Sequence, residues 1–262
     1  MTPQPDRTAE SLLAFWAEAG VDAMLLDAPV DRLTAPAPLP FRQPGKAAEP
    51  APASPAGQGL IAAREAAAAA ATLDELAAAI AAFDGCPLKF EGARQAVFAR
   101  GVPDAELMII GEAPGGEEDQ RGEPFVGRAG RLLDRMLAAA GLESRTFITN
   151  TVFWRPPGNR NPTPAEQLAC SPFVERAIQL VKPRMLLLAG GAAAKAVLKR
   201  DEGILSLRGR WLEWTSSDGA TVLPALPTLH PAFLLRQPAA KKKAWSDLLT
   251  LVERLDRPER GG

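Results

Sequence analysis

Leu107-Met108-Ile109-Ile110-Gly111-Glu112-Ala113-Pro114-Gly115 decides how this chain is read. An uninterrupted apolar run leads into a turn built from Gly and Pro. Acids follow at Glu117, Glu118 and Asp119, then Gly122-Glu123-Pro124-Phe125-Val126-Gly127, and a helical pattern begins near Arg128. A short continuous apolar run is what a strand buried on both faces looks like. A buried strand, a rigid turn and a helix in succession describe the carboxyl edge of an open α/β sheet, where ligands bind.

The segments on either side repeat that alternation. Glu106–Ile110 reads as a strand. Ala129–Ala140 reads as a helix, with Leu132, Leu133, Met136, Leu137 and Ala140 on one face and Gly141 as its stop. Thr146–Val152 is a strand. Pro164–Val181 is helical, although Pro172 must start, kink or split it, and Ser171 can cap a second segment. Arg184–Ala189 is a buried strand and Gly191–Lys199 a short helix. Thr221–Thr228 is a strand whose Pro224 and Pro227 argue for an edge position or a short element. Lys241–Leu255 closes the chain as a helix. The pattern predicts an α/β fold, a three-layer α/β/α arrangement around a central four-stranded parallel sheet.

The N-terminal part has a different character. Residues 9–26 place Leu12, Leu13, Trp16 and Ala17 on one helical face. Prolines at 36, 38, 40, 44, 50, 52 and 55 read as an extended linker. Thr72 and Glu75 form a capping-box pattern that predicts a helix from Leu73 to about Ala82. The expected organisation is a helical extension over 1–34, a Pro/Ala-rich linker over 35–59 and a main α/β domain over 60–262.

Composition narrows the possible chemistry. The 262 residues carry a net charge of −1, so bulk charge does not announce a nucleic-acid binder, and any such surface must be a local patch. No apolar run approaches the ~20 residues of a membrane span, and Met1–Glu10 lack a signal-peptide layout. The expectation is a cytoplasmic protein that does not engage membranes. Two cysteines, Cys86 and Cys170, make no disulfide framework. The single histidine, His230, is the one imidazole available to any mechanism.

Each predicted strand runs into a polar or Gly/Pro-rich stretch. If the strands are parallel, these stretches meet at one edge and gather Glu112, Asn150, Asn159, Arg160, His230 and Arg236 in one cleft. Taken singly, each feature has a plainer explanation. The Gly-rich turn can be only a tight turn or a generic phosphate site, Asn150 can cap a strand end, and the arginines can be solvated. The turn is neither a GxGxxG fingerprint nor a P-loop.

The combination resembles the uracil-DNA glycosylase superfamily, and most closely its family 4. The resemblance rests on Gly111-Glu-Ala-Pro-Gly-Gly-Glu-Glu-Asp119, Gly122-Glu-Pro-Phe-Val-Gly-Arg-Ala-Gly130, Ile148-Thr-Asn150, Arg155-Pro-Pro-Gly-Asn-Arg160 and His230-Pro-Ala-Phe-Leu-Leu-Arg236. It runs from about Thr72 to Leu255 in family order. It implies a monofunctional hydrolase that removes uracil from DNA and initiates base excision repair, a monomer acting on uracil-containing DNA. Gly111, Ala113 and Gly115 would form the floor of the base pocket. Asn150 would read the uracil edge, Phe125 would stack on the ring, and Glu118 would form a wall against the thymine methyl. His230 would stabilise the departing uracilate and Glu112 would help place water. Ala113 stands where the most active branch has an Asp. Arg155, Asn159, Arg160 and Arg236 would meet the DNA. Leu234 or Leu235 would wedge into the base stack, with core packing the open alternative.

The resemblance also implies a [4Fe–4S] cluster on four cysteines. Cys86 and Cys170 match two ligand positions, and Phe83 and Trp154 occupy the other two. The expectation is therefore no cofactor and no metal, with a hydrophobic patch in the place of the cluster. Two other functions stay open: a DNA-binding module that keeps the pocket without turnover, and an α/β nucleotide-binding protein unrelated to DNA. Absence of a ribose-binding acid after a GxGxxG turn disfavours the last.

Overall fold

The computed structural model describes residues 55–257. The expected helix over 9–26 and nearly all of the expected linker lie outside them. The last linker residues do not stay extended, because helix α1 begins at Pro55 and runs to Ala69. Pro suits a helix start, where its missing N–H costs nothing. Helix α2, Leu73–Ala82, is capped by Thr72, whose hydroxyl accepts from the Glu75 N–H at 3.2 Å. The reciprocal half of the box is displaced by one residue: Glu75 accepts from Ala71 N.

The elements that follow are β1 (Ala99–Gly101), β2 (Leu107–Gly111), α3 (Gly116–Arg121), α4 (Arg128–Ala139), β3 (Thr146–Asn150) and α5 (Pro164–Val181). Then come β4 (Met185–Ala189), α6 (Gly191–Leu198), α7 (Ile204–Leu207), β5 (Leu212–Thr215), β6 (Val222–Thr228), α8 (Pro231–Arg236) and α9 (Lys241–Asp256). The sheet has six strands in the order β1-β3-β2-β4-β6-β5. The expected parallel core of β3, β2, β4 and β6 is present. Two short antiparallel strands, β1 and β5, extend it at the edges and enlarge the predicted sheet.

The layers follow from the strand period. Met108 and Ile110 of β2 join Phe147, Leu186 and Leu188 in the core under α1 and α5, with Phe173, Val174 and Ala177. Leu107 and Ile109 face the opposite way, into the core formed with Leu133 and Leu137 of α4 and Leu248 and Leu251 of α9. A strand covered on both faces needs no polar alternation, which is why these strands read as apolar runs. Among the described residues no helix is long and apolar enough to cross a membrane.

Both proline-bearing elements depart from expectation for local reasons. Helix α5 runs unbroken through Pro172. Proline strands the carbonyl four residues earlier, that of Leu168, and the Ser171 hydroxyl donates to it at 2.9 Å. Strand β6 is interior, not an edge. The Pro227 carbonyl accepts from Gly209 N, and that of Thr228, one residue on, accepts from Gly190 N beside β4. Pro227 therefore turns its nitrogen away from β4, beyond the last residue that β5 pairs, Ala225. Pro224 lies just ahead of the β4 register, which starts at Ala225. Neither proline removes a ladder bond.

The chain leaves β2 for β3 on one side and returns to β4 on the other. That reversal is a topological switch point, and it opens a crevice outside the carboxyl ends of β2 and β4.

Candidate active site

Gly111 and Asn150 are the last residues of β2 and β3 and are paired in register. The turn after β2 is tied to the end of β3: Thr151 N donates to the Gly111 carbonyl at 2.9 Å, and its hydroxyl donates to that of Glu112 at 2.7 Å. Asn150 is 1% exposed, and its Oδ1 is buried with no hydrogen-bond partner. A stranded buried acceptor costs roughly 1–3 kcal/mol, and a native site that keeps one has a use for it. Gly111 makes room for it. A Cβ there would strike both Asn150 Oδ1 and the Phe125 ring.

Phe125 is buried, with φ at +55°, a conformation that strains any residue but glycine. Its surroundings over-determine that backbone. Arg100 Nε donates to the Pro124 carbonyl at 2.8 Å, and Nη2 donates to that of Phe125 at 3.2 Å. Arg100 is itself held by Asp134. Gly130 of α4 lies so close beneath that a Cβ would overlap the Phe125 carbonyl. Arg100 was not singled out in the sequence, since a three-residue edge strand has no periodicity to announce it.

His230 caps α8, its Nδ1 accepting from Ala232 N at 3.1 Å. Nδ1 therefore carries no proton, and in the neutral ring the proton is on Nε2. Burial, reinforced by the Arg236 charge and opposed by Glu118, lowers its pKa from 6.5 to about 4. The imidazole is neutral at ordinary pH and offers an Nε2–H. Glu112 is half-buried; its Oε1 has no partner, and burial pushes its carboxyl up. Ala113 brings no carboxylate to the turn. Glu118 accepts from Gly115 N at 3.1 Å through Oε2 and from Gly127 N at 2.8 Å through Oε1. Its carboxylate thus braces the two glycine-rich motifs against each other.

The residues expected at DNA divide. Arg155 Nε donates to Asn159 Oδ1 at 2.7 Å, which orders that loop. Arg160 is not a free cation: it forms a bidentate pair with buried Glu166, at 2.9 and 2.6 Å, and reaches Glu91. Leu234 requires correction as a wedge. It is 0% exposed and packs with Leu132, Leu229 and Ala244, so it cannot enter a base stack. Leu235 is half-buried at the surface beside α4, and Arg236 is exposed.

Residues 98–249 match the family model of the uracil DNA glycosylase superfamily. The type-4 uracil-DNA glycosylase of Sulfurisphaera tokodaii is 37% identical over 171 residues, 63% of this chain and 77% of that protein. That of Pyrobaculum aerophilum is 39% identical over 171 residues, 63% of this chain and 85% of its own length. A type-5 enzyme of Mycobacterium tuberculosis is 36% identical over 111 residues, 36% of this chain and 41% of that protein.

The expectation of a chain without a cofactor is corrected by these relatives. They are type-4 enzymes, the branch that the resemblance ties to a [4Fe–4S] cluster, so loss of the cluster does not stand as a property of this chain. The local structure gives only its donor set. Cys86 and Cys170 are buried free thiols that act on each other's ionisation, and burial pushes the Cys170 thiol up. Phe83 packs edge-on to Phe173 with centroids 5.1 Å apart, and Trp154 packs on Phe153 at 6.3 Å. These residues do not by themselves fit a Cys₄ cage. With more than half of its length matched by the family model, the chain belongs to the uracil-DNA glycosylase superfamily.

Proposed function

We propose that this protein is a monofunctional uracil-DNA glycosylase that hydrolyses the N-glycosidic bond of deoxyuridine, leaves an abasic site and so initiates base excision repair. The observation that carries the reading is the unpaired Oδ1 of Asn150, buried beside Gly111 and the Phe125 ring. A carboxamide there accepts from the uracil ring N–H and donates to a ring carbonyl. Cytosine presents the reverse pattern and would leave both groups unpaired.

The target base is inside a duplex and must be flipped out or met on a single strand. Phe125 then stacks on it. As the glycosidic bond breaks, charge builds on the uracil carbonyl, and a donor aimed there acts most strongly in the transition state. Neutral His230 supplies that donor through Nε2–H, its Nδ1 being occupied by Ala232 N. The sugar becomes a cationic electrophile that needs a positioned water more than a strong base. Glu112 Oε1 is the acceptor for that water. Its raised pKa makes it the better proton acceptor once ionised. Glu118 holds Gly115 and Gly127 in place and lends its side chain as the wall toward the position of a thymine methyl.

The reading is of a monomer in the cytoplasm with uracil-containing DNA as its partner. The test uses labelled single-stranded and duplex oligonucleotides with one uracil, treated with alkali after incubation. Strand cleavage at the uracil is expected; no cleavage in either form removes the reading.

A further inference from the structure

Helix α4 carries a row of arginines that none of these roles uses. Arg128, Arg131 and Arg135 are all exposed, and their spacing of three and four residues puts them on one helix face. With Asp134 and Leu235 they line an open cleft of about 580 Å³. The charges in that cleft do not cancel. Asp134 is held by Arg100 behind it, and Arg131 shares Glu117 at 3.2 Å with both side chains about half exposed. Among the described residues neither Arg128 nor Arg135 has a hydrogen-bond or ion-pair partner. Arg160, by contrast, is already neutralised by Glu166 and Glu91.

The location matches the charge. Helix α4 starts directly after Gly127, within the motif that carries Phe125, and it packs on α8, which follows His230. The row therefore leads away from the mouth of the base pocket. From Arg128 to Arg135 it rises about 10 Å, the axial rise of roughly three nucleotides of one B-form strand. Guanidinium groups at that spacing suit phosphates about three nucleotides apart on one strand, and Leu235 beside them lines the same cleft.

We propose that α4 is a DNA-backbone ridge, with Arg128 and Arg135 contacting phosphates of the strand that bears the flipped nucleotide. The proposal rests on the glycosylase reading for the strand's identity, but binding can be measured apart from turnover. The affinity of the full chain for uracil-free single-stranded and duplex oligonucleotides is measured against salt, for the native protein and the double variant Arg128→Ala/Arg135→Ala. Loss of two phosphate contacts lowers the slope of log K against log salt by about 1.4 on single strands and about 1.8 on duplex. Arg128→Lys/Arg135→Lys should restore it, since Lys keeps the charge. An unchanged slope in the alanine variant overturns the ridge. If that variant does not fold, Arg128→Gln/Arg135→Gln is held to the same slopes. Native protein that binds with the expected slope difference yet leaves uracil in place would sink the glycosylase reading alone.

Discussion

The rings of Phe125 and His230 lie with centroids 5.6 Å apart and planes inclined by 31°. The side chain proposed to cover a flipped base thus also covers the imidazole proposed to polarise it. This contact helps exclude water from His230, and the exclusion keeps the ring neutral. Under the proposed roles, stacking and leaving-group stabilisation share one structural arrangement, and a change to either ring is expected to affect both.

His230 is the chain's single histidine, so its titration can be followed by NMR without assignment. The imidazole resonances should titrate near pH 4, with Nε2 protonated and Nδ1 bare at neutral pH. The sign for stability follows. An unfolded histidine takes its proton near 6.5, the folded one near 4, so between those values the unfolded state binds more protons. Stability contributed by this group is present above about pH 6.5 and is lost as pH falls toward 4. A titration midpoint near 6.5 would contradict the neutral donor. His230→Ala should slow excision by roughly 100-fold or more.

Gly111→Ala should damage the pocket without unfolding the sheet. The added methyl group falls against Asn150 Oδ1 and the Phe125 ring. Single-turnover excision of uracil should drop by at least about tenfold, with a circular dichroism spectrum like that of the native protein. Native excision rates in this variant would mean that the base does not sit between these residues.

Arg100 holds the backbone of Phe125 through the Pro124 and Phe125 carbonyls. Arg100→Ala should lower kcat/KM for uracil by about tenfold, the worth of one charge-assisted hydrogen bond. Arg100→Lys should recover part of it. If only the melting temperature moves and the kinetics do not, Arg100 supports the fold and not the stacking ring.

Glu118 joins the two glycine-rich motifs through Gly115 N and Gly127 N. Glu118→Ala should lower both melting temperature and uracil excision, since two part-buried backbone donors lose their acceptor, at up to about 1–3 kcal/mol each. It should also admit some thymine. Strict rejection of thymine by the variant would leave Glu118 as a brace and move the wall to another residue.

Much of this was legible in the residues, and the exceptions have physical reasons. β2, β3, β4 and the helices α2, α4, α5 and α9 were readable because their apolar periods are strong and their caps explicit. β1 and β5 were missed because a short edge strand that buries few residues leaves no pattern. The place of β6 was misjudged because proline tolerance depends on which way a nitrogen points, which only the register reveals. Asn150 and His230 could be grouped because parallel strands bring their ends together, whereas Phe125 was placed beside them by the family resemblance alone. The fates of Arg160 and Leu234 could not be read the same way. Arg160 is neutralised partly by Glu91, far away in sequence, and Leu234 is buried by Leu132 and Ala244 from two other helices.

Free uracil released from a uracil-containing oligonucleotide, quantified by mass spectrometry for the native protein and Asn150→Ala, tests the central claim most directly. The account predicts stoichiometric uracil and abasic strand from the native protein, and loss of roughly 100-fold or more in the variant. No free uracil from the native protein, or undiminished release by Asn150→Ala, would contradict it.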